Sequence, residues 1–213
     1  YEVFLRERPD ELGTLTEEDL IWDAWAVASR AETMASLVSR ALAQVDTMLT
    51  AGGRTPTALP SIVPIRNFSP MQTGASVGKK IHPFYKTVRE HTGVDLVANA
   101  GTEVLSSADG KVVSVVRSKK GMGNTVVIDH GGGYRTSYSH LEDIRVAAGQ
   151  GVRQGAVIGT VGQTGSCFAP CLHYEVRRGS QVQDPVNYFF AQTDPVTYHE
   201  MTIVALTTGQ SLD

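Results

Sequence analysis

With 213 residues the chain is long enough for one fair-sized domain plus an additional element, and 41% hydrophobic with 19% charged residues is the composition of a soluble globular protein. Nineteen Lys and Arg against 22 Asp and Glu leave a formal charge of −3, so no basic footprint for nucleic acid or an anionic membrane is present. No apolar run is long enough to span a bilayer, and no cleavable leader is visible. The chain opens on Tyr1 rather than methionine, which reads as a fragment or processed form from which upstream targeting could have been removed.

In chain order, Pro9 and Gly13 break any helix in the first fifteen residues. Thr16-Glu17-Glu18-Asp19 then supplies a capping hydroxyl followed by acids that complement a helix dipole. From Leu20 to Leu49 neither Gly nor Pro occurs, and apolar residues recur at Ile21, Ala24, Ala28, Ala31, Val38 and Val45, a helical stripe with a period near 3.5. This segment, residues 1–50, is expected to be a helix packed on a neighbour or a coiled-coil stalk that pairs two copies of the chain. Residues 51–70 hold Gly52, Gly53, Pro56, Pro60, Pro64 and Pro70 and read as a semi-extended linker.

From residue 71 the composition turns to Gly, Val, Thr and Ile in short runs. Strands are expected at Val94–Ala98, Glu103–Ser106, Lys111–Val116, Thr125–His130, Tyr134–His140, Ala156–Val161 and Leu172–Arg177. Turn signals such as Asp109-Gly110 and Gly131-Gly132-Gly133 separate them, so the domain at 71–192 is expected to be a mainly β sandwich or barrel. The remainder, 193–213, has no strong pattern and is expected to be a tail.

The stretch Cys167-Phe168-Ala169-Pro170-Cys171-Leu172-His173-Tyr174-Glu175-Val176 concentrates the chemistry. On a strand, Cys171, His173 and Glu175 share one face, with neighbours about 6–7 Å apart. Upstream, His91 and Asp95 would lie about 13 Å apart on a straight strand, too far for one ion. Gly93 between them can supply a bend, after which His91, Asp95 and His173 could form three ligands of a tetrahedral zinc with the fourth position left for water. His140, taken alone, is a strand-end histidine; His130 is most easily structural, and His82 and His199 have no evident role. Glu175 could be a general base but more readily orients a ligand.

Taken together these motifs resemble the lysostaphin-like (LytM-type) zinc endopeptidases that cut peptidoglycan cross-bridges. The likeness runs from about Gly78 to Tyr188 and includes Arg89 with His91-Thr92-Gly93-Val94-Asp95, Gly121-Met122-Gly123-Asn124, Tyr138-Ser139-His140-Leu141, Gly162-Gln163-Thr164-Gly165 and Leu172-His173-Tyr174-Glu175. It implies an antiparallel sandwich or barrel with a duplicated hybrid motif. It also implies zinc held by His91, Asp95 and His173, with His140 as one of two catalytic histidines and peptidoglycan peptides as substrate. The N-terminal part looks like envelope-anchored members from the Bacteroidetes, which implies a periplasmic location and a membrane helix upstream of Tyr1.

One departure matters. The family pattern is His-x-His, and its first histidine is here Cys171, while the small-residue loop before it is replaced by Cys167-Phe168-Ala169. Zinc binding is still expected, whereas catalysis is in question. Cys171 could be a small buried filler, a fourth thiolate ligand that closes the water position, or half of a disulfide with Cys167. The disulfide is the favoured expectation. The main alternative to a working peptidase is a zinc-binding but inactive module that binds cell wall or regulates a hydrolase.

Overall fold

The computed structural model describes residues 58–82, 86–191 and 193–212, all within one compact unit, Thr55–Asp213. The helix expected over Leu20–Leu49, and with it the dimer and anchor readings, lies outside the described residues. Eleven strands follow: β1 (Gly78–Ile81), β2 (Val88–His91), β3 (Val94–Val97), β4 (Glu103–Leu105), β5 (Gly110–Val116), β6 (Asn124–Gly131), β7 (Tyr134–Ile144), β8 (Gly151–Val152), β9 (Val157–Val161), β10 (Cys171–Arg178) and β11 (Gln181–Gln183). They carry the mainly β character read from the turn spacing and the antiparallel pairing that the resemblance implies. β1 and β2 form a two-stranded hairpin, and the other nine strands share one antiparallel sheet. β7 and β10 sit at its centre, because β10 pairs with β3, β7 and β11 while β7 pairs also with β6 and β9.

That centrality explains the composition of β10. Six consecutive residues, Cys171 to Val176, are buried, so the strand has no solvent face. Leu172, Tyr174 and Val176 point into the apolar core with Leu96, Ile128, Leu141, Ile158 and Phe189. Tyr174 lies 5.2 Å from the Tyr138 ring and 6.0 Å from Phe189, centroid to centroid. The two tyrosine hydroxyls meet at Ser107, at 2.9 Å from Tyr138 and 2.8 Å from Tyr174. Burial raises both phenol pKa values, so these hydroxyls stay neutral and act as hydrogen-bonding groups in an otherwise apolar layer.

The same polar layer contains His130, whose Nδ1–H donates to Asp109 O at 2.8 Å and whose Nε2 lies 2.7 Å from Thr136 Oγ1. Burial pushes the pKa of this imidazole down, against smaller upward pulls from Asp109 and Asp129. Below the ordinary histidine value near 6.5 the unfolded chain therefore binds a proton that the folded chain refuses, and stability falls as pH drops through that window. We expect a loss of up to about 1.4 kcal/mol per pH unit between the two pKa values. Denaturant titrations at pH 7.5 and 5.5 should show this loss in the wild type and a smaller one in His130→Gln; equal losses would remove His130 as the cause.

Two expectations are corrected here. Half of the linker assigned to 51–70 is part of the fold, since Ile62, Val63 and Ile65 are buried and Ile65 bridges to Val104. The tail contains a helix, α1 (Pro195–Thr207), capped by Asp194, whose carboxylate accepts from Val196 N and Thr197 N. Asp194-Pro195 is the helix-start signal, an N-cap acid followed by proline in the first turn. The apolar residues of α1 lie all round it, Met201 and Ala205 buried but Val196, Ile203 and Leu206 exposed, so no stripe announces the helix.

Candidate metal centre

The cross-strand register builds the site. Asp95 of β3 stands directly opposite His173 of β10, which stands opposite Ser139 of β7 on its other side. His91, the last residue of β2, reaches the pair from outside the main sheet. Its Nε2 is 3.1 Å from Asp95 Oδ1 and 3.2 Å from His173 Nδ1, and His173 Nδ1 is 3.0 Å from Asp95 Oδ1. All three side chains are buried, and among the described residues no fourth His, Cys, Asp or Glu atom joins the cluster.

The protonation of the cluster follows from its outer contacts. His91 Nδ1 faces Ser76 O at 2.9 Å, and a carbonyl can only accept, so the proton sits on Nδ1 and the lone pair on Nε2 points inward. His173 Nε2 faces Glu175 Oε1 at 3.5 Å, which likewise leaves the lone pair on Nδ1. Two imidazole lone pairs and a carboxylate oxygen thus converge with no proton between them. A tetrahedral zinc with bonds of about 2.0–2.1 Å separates its ligands by roughly 3.3–3.4 Å, close to the spacing found here. The donor set fits a zinc ion.

Charge distribution agrees with this. Burial pushes the Asp95 carboxyl up, but whenever His173 or His91 takes up a second proton its hydrogen bond and charge pull it down, and the carboxyl lies below the usual carboxylate range. Glu175 is pushed up by burial and brought down to about 2 by His173, Thr92 and Arg177, so it is an anion fixed at the outer edge of a ligand ring. Thr92 Oγ1 and Arg177 Nε donate to its two oxygens. Glu175 is therefore placed to orient His173.

Gly93 contributes more than a bend. A Cβ built there would lie 2.4 Å from Tyr174 O and 2.9 Å from His173 Nε2, so only glycine lets the β2–β3 corner approach β10. Gly93→Ala should displace His173, weaken zinc affinity by roughly the 10–100-fold typical of lost supporting contacts, and lower the unfolding midpoint. Unchanged zinc affinity in a folded Gly93→Ala protein would refute the packing argument.

His140 reaches the site by breaking strand alternation. Ser139, opposite His173, shares its face, so a regular strand would send His140 into the core beside Tyr138. Instead the β6–β7 register shifts between Asn124 and Val126, adding a residue to β7, and His140 adopts φ +62. Such a bulge re-aims a side chain. The ring lies 6.1 Å from that of His173, and its Nδ1–H donates to Thr164 O at 2.8 Å, keeping the lone pair on Nε2. Thr164 is held in turn by Gly123 at φ +65, where any Cβ would collide with the Thr164 carbonyl.

The expected Cys167–Cys171 disulfide is not formed. Both residues are buried thiols: Cys167 Sγ donates to Ala169 O at 2.8 Å and is hydrogen-bonded to Cys171, at contact rather than bonding distance. The hydrogen bond to Cys171, aided by charge on His140, lowers the Cys167 pKa against the opposing effect of burial. Cys171 opens β10 opposite Val97, on the face of His173, outside the three-ligand cluster. His91 and His173 open onto a cleft of about 390 Å³ whose walls include His82, Arg89, Met122 and Ser211. His82 follows β1 directly, at the start of the hairpin connection, and Ser211, which carried no signal in sequence, is brought in by the segment after α1 that bridges to Ile81. His199 is exposed.

Residues 89–185 match the model of peptidase family M23. The catalytic domain of the antimicrobial peptidase lysostaphin from Staphylococcus simulans is 32% identical, with a TM-score of 0.50 over 55% of this chain and 90% of that domain. The chain belongs to peptidase family M23. A zinc-containing peptidase from Vibrio cholerae is a further structural neighbour of this M23 chain, at TM-score 0.53 and 34% identity over 60% of the chain and 39% of that protein. The DD-carboxypeptidase/endopeptidase Mpg of Neisseria meningitidis is 46% identical over 110 residues, 52% of this chain and 25% of that protein. The peptidoglycan DD-endopeptidase ShyA of Vibrio cholerae is 45% identical over 98 residues, 46% of this chain and 23% of that protein. The M23 chain thus spans about a quarter of the length of these curated relatives.

Proposed function

We propose that the chain is a zinc metalloendopeptidase that hydrolyses peptide cross-links of peptidoglycan, with His91, Asp95 and His173 holding the metal. The observation that carries the reading is the convergence of three lone pairs, 3.0–3.2 Å apart, whose outer partners fix them inward. Bound there, zinc supplies a Lewis acid that lowers the pKa of water toward about 7 and polarises a peptide carbonyl. His140, with its lone pair on Nε2 and its ring 6.1 Å from that of His173, accepts a proton beside the metal site and as imidazolium stabilises the developing oxyanion. Glu175 keeps His173 in its ligating tautomer. The name of ShyA, a peptidoglycan DD-endopeptidase, supports a peptidoglycan cross-link as the substrate and with it the cell envelope as the location.

A second reading is favoured by one observation: a thiol, Cys171, stands where the family pattern has its other catalytic histidine. A module that binds zinc and cell wall without turnover, or that regulates another hydrolase, would keep the ligands and lose this group. Metal analysis together with release of new amine groups from purified peptidoglycan separates the two. One zinc per chain with amine release supports the enzyme; one zinc without it supports the binding module; no zinc removes both. The apolar stripe over Ile21–Val45 supports homodimerisation through the N-terminal segment, and light scattering on residues 1–213 giving a monomer would remove the dimer.

A further inference from the structure

We infer that the C-terminal segment Thr208–Leu212 is a strap that positions the metal ligand Asp95 through a backbone hydrogen bond, an inference that rests on the zinc reading above. Asp95 uses Oδ1 for the two histidines, and its other oxygen, Oδ2, accepts from Leu212 N at 2.7 Å. The strap is fastened on both sides of the cleft. Toward the hairpin, Ile81 N donates to Gly209 O at 3.0 Å and Ser211 N to Ile81 O at 3.3 Å, a parallel bridge centred on Gln210. Toward the loop before β10, Phe168 N donates to Leu212 O at 2.8 Å. Its root is held by Lys80, a buried residue of β1 whose Nζ donates to Thr208 O at 2.7 Å and Ala205 O at 3.4 Å, closing the C-terminus of α1.

This arrangement gives α1 a purpose that its weak amphipathicity does not suggest. The helix packs on the short turns Pro70–Gln72 and Pro185–Ala191, and the five residues beyond it reach the ligand carboxylate. Ser211, buried on the strap, lines the cleft together with His91 and His173. A carboxylate held by one oxygen alone can rotate about its Cβ–Cγ bond; holding Oδ2 fixes the plane in which Oδ1 meets the histidines. Leu212 is thus a positioning residue, and it acts through a group that every amino acid except proline supplies.

The test compares zinc affinity, by chelator competition, in residues 1–213 carrying Leu212→Ala, which keeps the N–H, and Leu212→Pro, which removes it. The alanine variant should bind within about twofold of wild type, and the proline variant roughly 10–100-fold more weakly, as for other lost supporting contacts. Both apo-proteins should give the same far-ultraviolet circular dichroism, showing that each is folded, and the cobalt-substituted visible spectrum should shift only in the proline variant. Equal affinities in the two variants would overturn the strap while leaving the zinc reading intact; absence of zinc binding in wild type would remove the zinc reading itself. If Leu212→Pro does not fold, amide exchange in wild type decides: protection of Leu212 N–H supports the strap, and exchange at the solvent rate overturns it.

Discussion

His173→Ala should empty the metal site. If the roughly 10–16 kcal/mol of a tight protein zinc site is shared among four ligands, one ligand is worth about 2.5–4 kcal/mol, or 10²–10³-fold in affinity. His173 is also the hinge of the cluster: it meets Asp95 across the β3–β10 ladder, His91 through Nδ1 and Glu175 through Nε2. Its removal leaves His91 and Asp95 as two ligands and Glu175 as an anion without the ring it orients. Zinc measured after dialysis should fall from one per chain to near none, and any endopeptidase activity should fall with it. His140→Ala makes the contrast, because His140 is outside the ligand cluster. It should keep zinc and lower turnover by about 10²–10⁴-fold, the usual contribution of a positioned acid–base group. His173→Ala protein that retains zinc at wild-type affinity would sink the ligand assignment.

Cys171→His should raise turnover, by the same argument run in reverse. The wild type has the imidazole of His140 6.1 Å from that of His173, and position 171 presents a thiol on the same strand face as His173. A second imidazole there would restore an acid–base group worth about 10²–10⁴-fold. The position is fully buried, Cys171 being 0% exposed, and imidazole is larger than a thiol, so overpacking of about 1–3 kcal/mol is the opposing effect. The neighbouring Cys167 is the contact that must give way. The double variant Cys167→Ser/Cys171→His is therefore the better test if the single one loses stability. Amine release from peptidoglycan measures the outcome. A wild type that already cuts, at a rate the histidine does not raise, would show that Cys171 impairs nothing.

How far each side chain was legible follows from the range of the interaction that places it. Asp95 and His173 could be read because strand alternation is local: both lie on predicted strands, and the motif spacing suggested one site. The partnership of His91 was read through Gly93 as a bend, but what Gly93 provides is room for Tyr174 O from a strand some eighty residues away. No local pattern contains that. His140 read as an ordinary strand-end histidine because the added residue in β7 exists only relative to β6, and a register shift is a property of two strands together. The thiol pair illustrates the converse. Spacing of four residues with a proline allowed a disulfide, yet the chain settles Cys167 into a turn whose own carbonyl, Ala169 O, takes its hydrogen bond.

The mainly β architecture and the family were written in residue types and short spacings, because hydrophobic alternation and glycine turns act over a few residues. The linker boundary, the capped helix α1 and the strap were not. They depend on which surfaces remain apolar or carry unsatisfied carbonyls once the sheet has formed. Ile65 is placed because β4 has an open edge, where Leu105 N donates to Pro64 O and Arg66 N to Glu103 O, and Leu212 matters only because Asp95 Oδ2 lies within 2.7 Å of its N–H. A backbone amide has no side-chain signature, so its role in holding a ligand becomes visible only when the fold brings the two ends of the domain together.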